Sequence, residues 1–136
     1  MTEFPGLSHV ALTVFDLETS VEWYRRVTDS DPVLDEDTGP FRHVVFALNG
    51  GALLGLHQFP SGETPSAEGR GGFDERRQGL DHVAFACADR AELEGWERHL
   101  DGLGVAHGGI VDAHYGSGLS FRDPDNIALE FFAPPS

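Results

Sequence analysis

The stretch Gly79–Ala84, which reads G-L-D-H-V-A, nearly repeats Gly6–Ala11, which reads G-L-S-H-V-A. The two copies lie 73 positions apart in the chain. Further matches keep the same offset: Asp16 with Asp89, Trp23 with Trp96, Arg25 with Arg98, Leu56 with Leu129, and Phe59 with Phe132. Self-similarity at a fixed spacing predicts two copies of one structural unit.

The composition is typical of one globular domain. Of the 136 residues, 40% are hydrophobic and 24% are charged, and the apolar runs are too short to cross a bilayer. The N-terminal residues lack the features of a secretory signal, and the single cysteine, Cys87, excludes an internal disulfide. We therefore expect a cytoplasmic protein. The formal net charge of −14 argues against nucleic-acid binding, which needs a basic surface.

The first copy, over residues 5–60, predicts the element order β-α-β-β-β. Alternating residues predict a first strand over Leu7–Val14, and Asp16 can cap a helix that ends near Thr28. Three more strands are predicted, the last two joined by the hairpin turn Asn49-Gly50-Gly51: Val33–Glu36, Phe41–Leu48 and Ala52–Phe59.

The second copy, over residues 79–134, predicts the same order. Its first strand covers Leu80–Cys87, and Asp89 begins a helix that runs through Leu100. The remaining strand regions are Val105–Tyr115, Gly118–Phe121 and Ile127–Phe132. Residues 61–78, rich in Gly and Pro, form the predicted linker between the two modules of a single 1–136 domain.

Four residues of metal-binding type fall at matching points of the repeat. The same offset sets His9 against His82 and His57 against Glu130, without a gap. A lone histidine in a strand is usually a structural core residue. A buried carboxylate without a partner is costly, however, and a cation held where the two copies face each other would offset that cost. The matching positions therefore predict one metal centre shared by the copies.

The predicted ligands, His9, His57, His82 and Glu130, are three imidazoles and one carboxylate, a good donor set for a divalent transition metal. Zinc, iron(II), nickel, manganese and cobalt all suit it. One anionic ligand leaves about one positive charge, which can stabilise an oxyanion or an enolate-like intermediate. Two positions on an octahedral ion would remain open for a substrate that binds through neighbouring oxygens. The donor set predicts an enzyme that acts on a small organic substrate.

The sequence resembles the vicinal oxygen chelate (VOC) superfamily, which includes glyoxalase I, methylmalonyl-CoA epimerase, extradiol dioxygenases, and the fosfomycin and bleomycin resistance proteins. The resemblance covers nearly the whole chain and rests on three motifs: L-S-H-V-A-L-T-V at Leu7–Val14, L-D-H-V-A-F-A-C at Leu80–Cys87, and F-R-D-P-D-N-I-A-L-E-F-F at Phe121–Phe132. It implies an α+β fold of two tandem βαβββ modules that form a cup-shaped mixed sheet. It also implies metal ligands on the first and last strands of each module.

The activity that this resemblance implies depends on His57. We expect isomerase or lyase chemistry of the glyoxalase type, with Glu130 and His57 as the catalytic groups that take a proton. The glyoxalase I and epimerase branches usually carry Glu or Gln at the position of His57, which departs from that pattern. In the dioxygenase branch the iron(II) ligands would be His9, His82 and Glu130 alone, with His57 behind them or beside the substrate. The bleomycin-resistance branch lacks the metal, and such a chain would bind a drug or natural product without turnover.

His114 and Tyr115 are the predicted substrate-binding residues, because they fall where a strand would line the second half of the cleft. A surface pair at a strand end explains them equally well. The resemblance further implies a homodimer. A small-molecule substrate is the expected partner, and neither nucleic acid nor a membrane is expected.

Overall fold

The chain divides into two compact units, residues 1–67 and 68–136. The computed structural model describes residues 3–37, 42–60 and 72–136, and within them each unit holds one helix and one four-stranded sheet. The predicted strand start at Phe41 and the linker residues 61–71 lie outside the described residues.

The first unit has the predicted β-α-β-β-β order. Its elements are β1 (His9–Thr13), α1 (Leu17–Thr28), β2 (Leu34–Asp37), β3 (Arg42–Ala47) and β4 (Leu53–Gln58). The strands lie in the order β1-β4-β3-β2. The β1–β4 pair is parallel and the other two pairs are antiparallel. The first and last strands of the unit are therefore neighbours, although a helix and two strands separate them in sequence.

Helix α1 covers one face of this sheet. Alternation along β1, β3 and β4 sends apolar side chains to that face, and the ring of Tyr24 packs on Phe46 with centroids 6.3 Å apart. The helix N-terminus is tied to the sheet because Gln58 Oε1 accepts a hydrogen bond from the amide of Leu17 at 2.6 Å. The core of the unit is buried at Leu12, Val14, Leu17, Tyr24, Val27, Val44, Phe46, Leu54 and Leu56. Burying each such side chain contributes about 1.5–3 kcal/mol to folding.

The second unit repeats the arrangement. Its elements are β5 (Val83–Ala86), α2 (Arg90–Leu103), β6 (His107–Ala113), β7 (Gly116–Arg122) and β8 (Ala128–Ala133), with the sheet order β5-β8-β7-β6. The Asp89 carboxylate caps α2 by accepting from the amide of Glu92 at 2.9 Å, and Trp96 stacks on Phe131 with centroids 5.0 Å apart. The predicted α+β fold of two βαβββ modules is confirmed.

All four strands of the second unit have boundaries that differ from the sequence-based prediction, and the largest consequence is at the turn between β6 and β7. Strand β6 ends at Ala113 rather than at Tyr115, and His114 and Tyr115 form the two-residue turn into β7. Gly116 has a φ of 144°, and the return strand begins at this residue, two residues before the predicted start at Gly118. Neither α1 nor α2, in the part of the chain that the structure describes, is long and apolar enough to span a bilayer.

The end of the linker is tied to the loop between β7 and β8. Arg122 donates to both carboxylate oxygens of Glu75, at 2.9 and 2.7 Å, and to the carbonyl of Asn126 at 3.1 Å. Asn126 in turn donates through Nδ2 to the carbonyl of Phe73 at 3.2 Å. These contacts border a polar cavity of about 490 Å³. Arg122 lowers the pKa of Glu75 to about 2, so the pair is present above the ordinary carboxyl pKa and is lost only as the pH falls through about 2.

We predict that Arg122→Gln makes the bonds after Arg76 and Arg77 more susceptible to trypsin, because this change releases Glu75. Surface ion pairs contribute little, so the expected increase in the cleavage rate is about two- to fivefold. Mass spectrometry of limited digests measures the two cleavages directly. Arg42→Gln, which removes the comparable pair with Asp35 in the first unit, is the control and should leave both rates unchanged. Equal cleavage rates in the Arg122 variant and the wild type would contradict the conclusion that Arg122 holds the end of the linker in place.

Cys87 directly follows β5, and its thiol is buried. Burial raises its pKa to about 11, and the nearby carboxylates of Glu92 and Asp89 add to the effect. Only the thiolate reacts rapidly with disulfide reagents, so the native thiol should be inert at neutral pH.

We predict that Ellman's reagent at pH 8 reacts with native Cys87 on the order of 100-fold more slowly than with the unfolded chain in urea. The chain holds a single cysteine, so the absorbance change reports this residue alone. Full reaction of the native protein within seconds would show that the thiol is accessible and ionised.

Candidate metal centre

In the first unit, the candidate residues lie on the sheet face that α1 does not cover. His9 begins β1, and its Nδ1 lies 3.0 Å from the hydroxyl of Ser8. His57 is near the end of β4, directly beside Thr13 on β1 and His43 on β3. The rings of His43 and His57 have centroids 5.5 Å apart. One row across the open face therefore places two imidazoles side by side.

The surroundings of His57 favour its neutral form. Burial lowers the pKa of the imidazole, and the neighbouring His43 and His9 lower it further. The neutral ring is the form that binds a metal or accepts a proton. His57 is thus suited to either of the two roles predicted for it.

In the second unit, His82 and Glu130 lie close together. His82 immediately precedes β5, and Glu130 is in the middle of β8 beside Ala84. The Nε2 atom of His82 lies 3.7 Å from Oε1 of Glu130, whose side chain is only 24% exposed. One ion at about 2.0–2.2 Å from each donor can bridge a nitrogen and an oxygen at this separation.

The other ring nitrogen of His82 also suits metal binding. Its Nδ1 lies 2.7 Å from a carboxylate oxygen of Asp81. A carboxylate accepts a hydrogen bond from Nδ1–H, and this leaves the lone pair on Nε2, the atom that faces Glu130. Metal-binding histidines usually donate their second N–H in this way. The donor chemistry of the pair therefore fits a divalent metal.

The strand registers reveal a difference between the two units. In the first unit, Ala11 of β1 lies beside Gly55 of β4, whereas in the second unit Ala84 of β5 lies beside Glu130 of β8. Because Ala11 and Ala84 are equivalent in the repeat, the structural counterpart of Glu130 is Gly55. The gapless offset, which set His57 against Glu130, is wrong at this strand.

His57 is instead the counterpart of Phe132, which lies two residues after Glu130 on β8. Thr13 lies beside His57 in the first unit, and the equivalent Ala86 lies beside Phe132 in the second. A shift of two residues keeps the side chain on the same face and moves it about 6.6 Å along the strand. The imidazole leans back, so that Nε2 is 3.5 Å from the point that a Cβ on Gly55 would occupy.

The predicted substrate residues lie at the turn between β6 and β7. His114 and Tyr115 are exposed and contact each other edge to face, with ring centroids 5.3 Å apart. Tyr115 also stacks on Phe132, which shares the open face with Glu130 two residues away. Tyr115 thus contacts the open face through Phe132, and the role of His114 and Tyr115 in substrate binding stays a prediction.

Within residues 3–37, 42–60 and 72–136, no group of three or more His, Cys, Asp or Glu side chains is arranged to hold one ion. The structure brings His82 to Glu130 in one unit and His43 to His57 in the other. The shared set of His9, His57, His82 and Glu130 stays a prediction.

Sequence reasoning missed His43 and Gly55. The strand position of His43 was visible, but its face depends on the β3–β4 register. Gly55 offered one signal, since a glycine inside a strand often marks a close approach of other groups.

The comparisons with known proteins agree with this architecture. The model of the Glyoxalase/Bleomycin resistance protein/Dioxygenase superfamily matches residues 6–131. A glyoxylase/bleomycin resistance protein/dioxygenase domain from Frankia sp. EAN1pec has a similar structure, with a TM-score of 0.83 and 33% identity over 98% of this chain and 95% of that one.

Two further relatives have more specific names. "Putative ring-cleaving dioxygenase MhqA" of Bacillus subtilis (strain 168) is 29% identical over 93% of this chain, which spans 39% of that protein's length. A variant of the fosfomycin resistance protein FosX from Listeria monocytogenes was solved with Mn(II) and 1S,2S-dihydroxypropylphosphonic acid. It shares the fold at a TM-score of 0.66, with 20% identity over 96% of this chain and 90% of that one. The family match and the Frankia domain show that this chain belongs to the Glyoxalase/Bleomycin resistance protein/Dioxygenase superfamily.

Proposed function

We propose that the chain is a metal-dependent enzyme that acts on a small substrate with two neighbouring oxygens. The proposed reaction is ring cleavage of a dihydroxylated aromatic compound. His9, His82 and Glu130 would hold one divalent ion, iron(II) for this chemistry. The supporting observation is the register difference, because it puts Gly55 where the second unit has Glu130. A centre with three protein ligands leaves more positions for substrate and dioxygen than one with four.

The residues themselves supply charge, orientation and proton transfer. When bound, the metal would supply the binding of adjacent substrate oxygens and the activation of dioxygen. Glu130 would contribute the single negative charge among the three ligands, so the centre would keep its attraction for an ionised substrate hydroxyl. Asp81 would hold the His82 ring in the tautomer that presents Nε2.

His57 would accept a proton from the substrate rather than bind the metal. Its imidazole lies on the open face of the first unit, two residues after Gly55 on β4. Tyr115 and Phe132 would provide a flat apolar surface for an aromatic ring, since their own rings are stacked 6.2 Å apart at an angle of 11°.

Glyoxalase-type isomerase or lyase chemistry is the second candidate. The orientation of His57 favours it, because Nε2 turns back toward Gly55 and thus toward the position that Glu130 occupies in the other unit. In that case His57 would be the fourth ligand, as the gapless offset suggested. A small-molecule partner and a homodimer belong to both candidates.

We predict that purified protein binds about one equivalent of iron(II), manganese(II) or zinc(II). His9→Ala, His82→Ala and Glu130→Gln should each reduce the affinity by more than the roughly 10- to 100-fold that loss of an outer hydrogen-bond partner costs. Anaerobic calorimetry and elemental analysis measure the binding. Glu18→Gln and His99→Gln, which change the same residue types on the helices, are the controls. Metal-free wild type after supplementation would refute the proposed function and leave metal-independent ligand binding as the alternative.

The role of His57 separates the two candidate reactions. If His57 handles a substrate proton, His57→Ala should keep the metal affinity within about threefold of wild type and lower kcat by about 10²- to 10⁴-fold. Oxygen uptake with catechols on the iron-loaded protein measures the turnover. A loss of metal affinity as large as that of His82→Ala, together with isomerase activity and no oxygen uptake, would favour the glyoxalase-type reaction instead.

A further inference from the structure

Strand β7 has glycines at two positions where a sheet would normally carry side chains. Gly116 and Gly118 lie inside the second unit's sheet, and their neighbour Ser117 is buried between them. A glycine within a strand weakens it, because the residue has no side chain to pack and loses more conformational entropy on folding. Only Gly116 has a positive φ, of 144°, so backbone conformation does not account for Gly118.

The carboxylate of Glu130 occupies the space above Gly118. In the ladder Glu130 pairs with Ser120, yet its side chain leans diagonally across to the residue two places earlier on β7. A Cβ added to Gly118 would lie 2.8 Å from Oε2 and 3.3 Å from Cδ of Glu130. Real Cβ atoms essentially never approach an atom as closely as the first of these distances, so the carboxylate can lie there only above a glycine.

Phe132 leans in the same direction above Gly116. It pairs with Gly118 in the ladder, and a Cβ on Gly116 would come within 2.3 Å of its ring. Two consecutive side chains on the same face of β8 thus lie across two glycines of β7. The lean belongs to the packing of this sheet and is not a feature of one flexible carboxylate.

We propose that Gly118 is a positioning residue for the metal-binding carboxylate, since it leaves the space that holds Glu130 beside His82. The inference rests on the proposed function, which makes Glu130 a ligand. With the carboxylate above β7, its Oε1 stays 3.7 Å from Nε2 of His82. A side chain at position 118 would push the carboxylate out of this arrangement.

A methyl group at position 118 should displace the Glu130 carboxylate and change the stability of the fold little. The atom that must move is the end of a flexible glutamate side chain, which can rotate to another staggered conformation. Alanine is also the better residue in a strand interior than glycine. We therefore expect Gly118→Ala to fold normally and to bind the metal poorly.

The test compares metal affinity in four proteins: wild type, Gly118→Ala, Glu130→Ala, and the double variant. Calorimetry with manganese(II) or zinc(II) should show that Gly118→Ala lowers the affinity by about 10- to 100-fold, as for other residues that orient a ligand. The same change should have no effect once Glu130 is alanine, because a residue that acts through Glu130 loses its influence with it. The Tm of Gly118→Ala should remain within about 2 °C of wild type.

Gly108→Ala is the matched control. Gly108 lies on the neighbouring strand β6, and a Cβ there would meet only the carbonyl oxygen of Ser120 at an ordinary 3.9 Å. This variant should bind the metal as wild type does. Affinity of Gly118→Ala within twofold of wild type, or an equal loss in the Glu130→Ala background, would overturn the inference.

Crystal structures of metal-free wild type and Gly118→Ala separate this inference from the proposed function. The carboxylate should move off β7 in the variant, and the distance from Oε1 to Nε2 of His82 should exceed 3.7 Å. An unmoved carboxylate would overturn the positioning role even if the wild type binds metal. If the carboxylate moves but the wild type binds no metal, the proposed function and the effect of Gly118 on metal binding are both refuted. The conclusion that Gly118 leaves space for Glu130 would still hold.

Discussion

Parallel pairing between the first and last strands of each unit is the constraint on which the candidate chemistry depends. The amide of Leu53 donates to the carbonyl of Ser8 at 3.0 Å, and the amide of Cys87 donates to the carbonyl of Phe132 at 2.8 Å. Such a pair cannot close through a short turn, so a long connection that includes a helix must link its strands. The helix then covers one face of each sheet and leaves the other face for polar residues.

The open face of the second unit accommodates a carboxylate that would be costly elsewhere in a sheet. Glu130 is three-quarters covered, with His82 3.7 Å away and the bare backbone of Gly118 beneath it. Partial burial strengthens the electrostatic attraction between this carboxylate and a cation, because fewer waters screen it. The same burial makes the carboxylate expensive without a positive partner. A bound cation would therefore offset the cost of burying this carboxylate.

The two units share an architecture and differ in chemistry. Unit two has a carboxylate on its last strand where unit one has Gly55, and unit one has His57 where unit two has Phe132. Duplication of a βαβββ module explains the common fold, and divergence at these two positions removes the symmetry of the donor set. Members of one superfamily can therefore keep a fold and carry different reactions, since function lies in a few residues on a shared scaffold.

The sequence alone determined the repeat and the β-α-β-β-β order of each unit. These features follow from local patterns: alternation in strands, helical spacing, and turn glycines such as Gly50 and Gly51. The choice of His9, His82 and Glu130 as candidate ligands also came from the repeat, and they remain candidates.

Only the tertiary structure decided which residues lie beside one another. The alternation of side chains is unchanged by a shift of two residues, so the pattern around His57 is the same whether its counterpart is Glu130 or Phe132. Hydrogen bonds between strands resolve that choice, and they set Gly55 at the position of Glu130. The role of Gly118 was equally hidden, because the diagonal lean of Glu130 depends on packing between strands that no local pattern records.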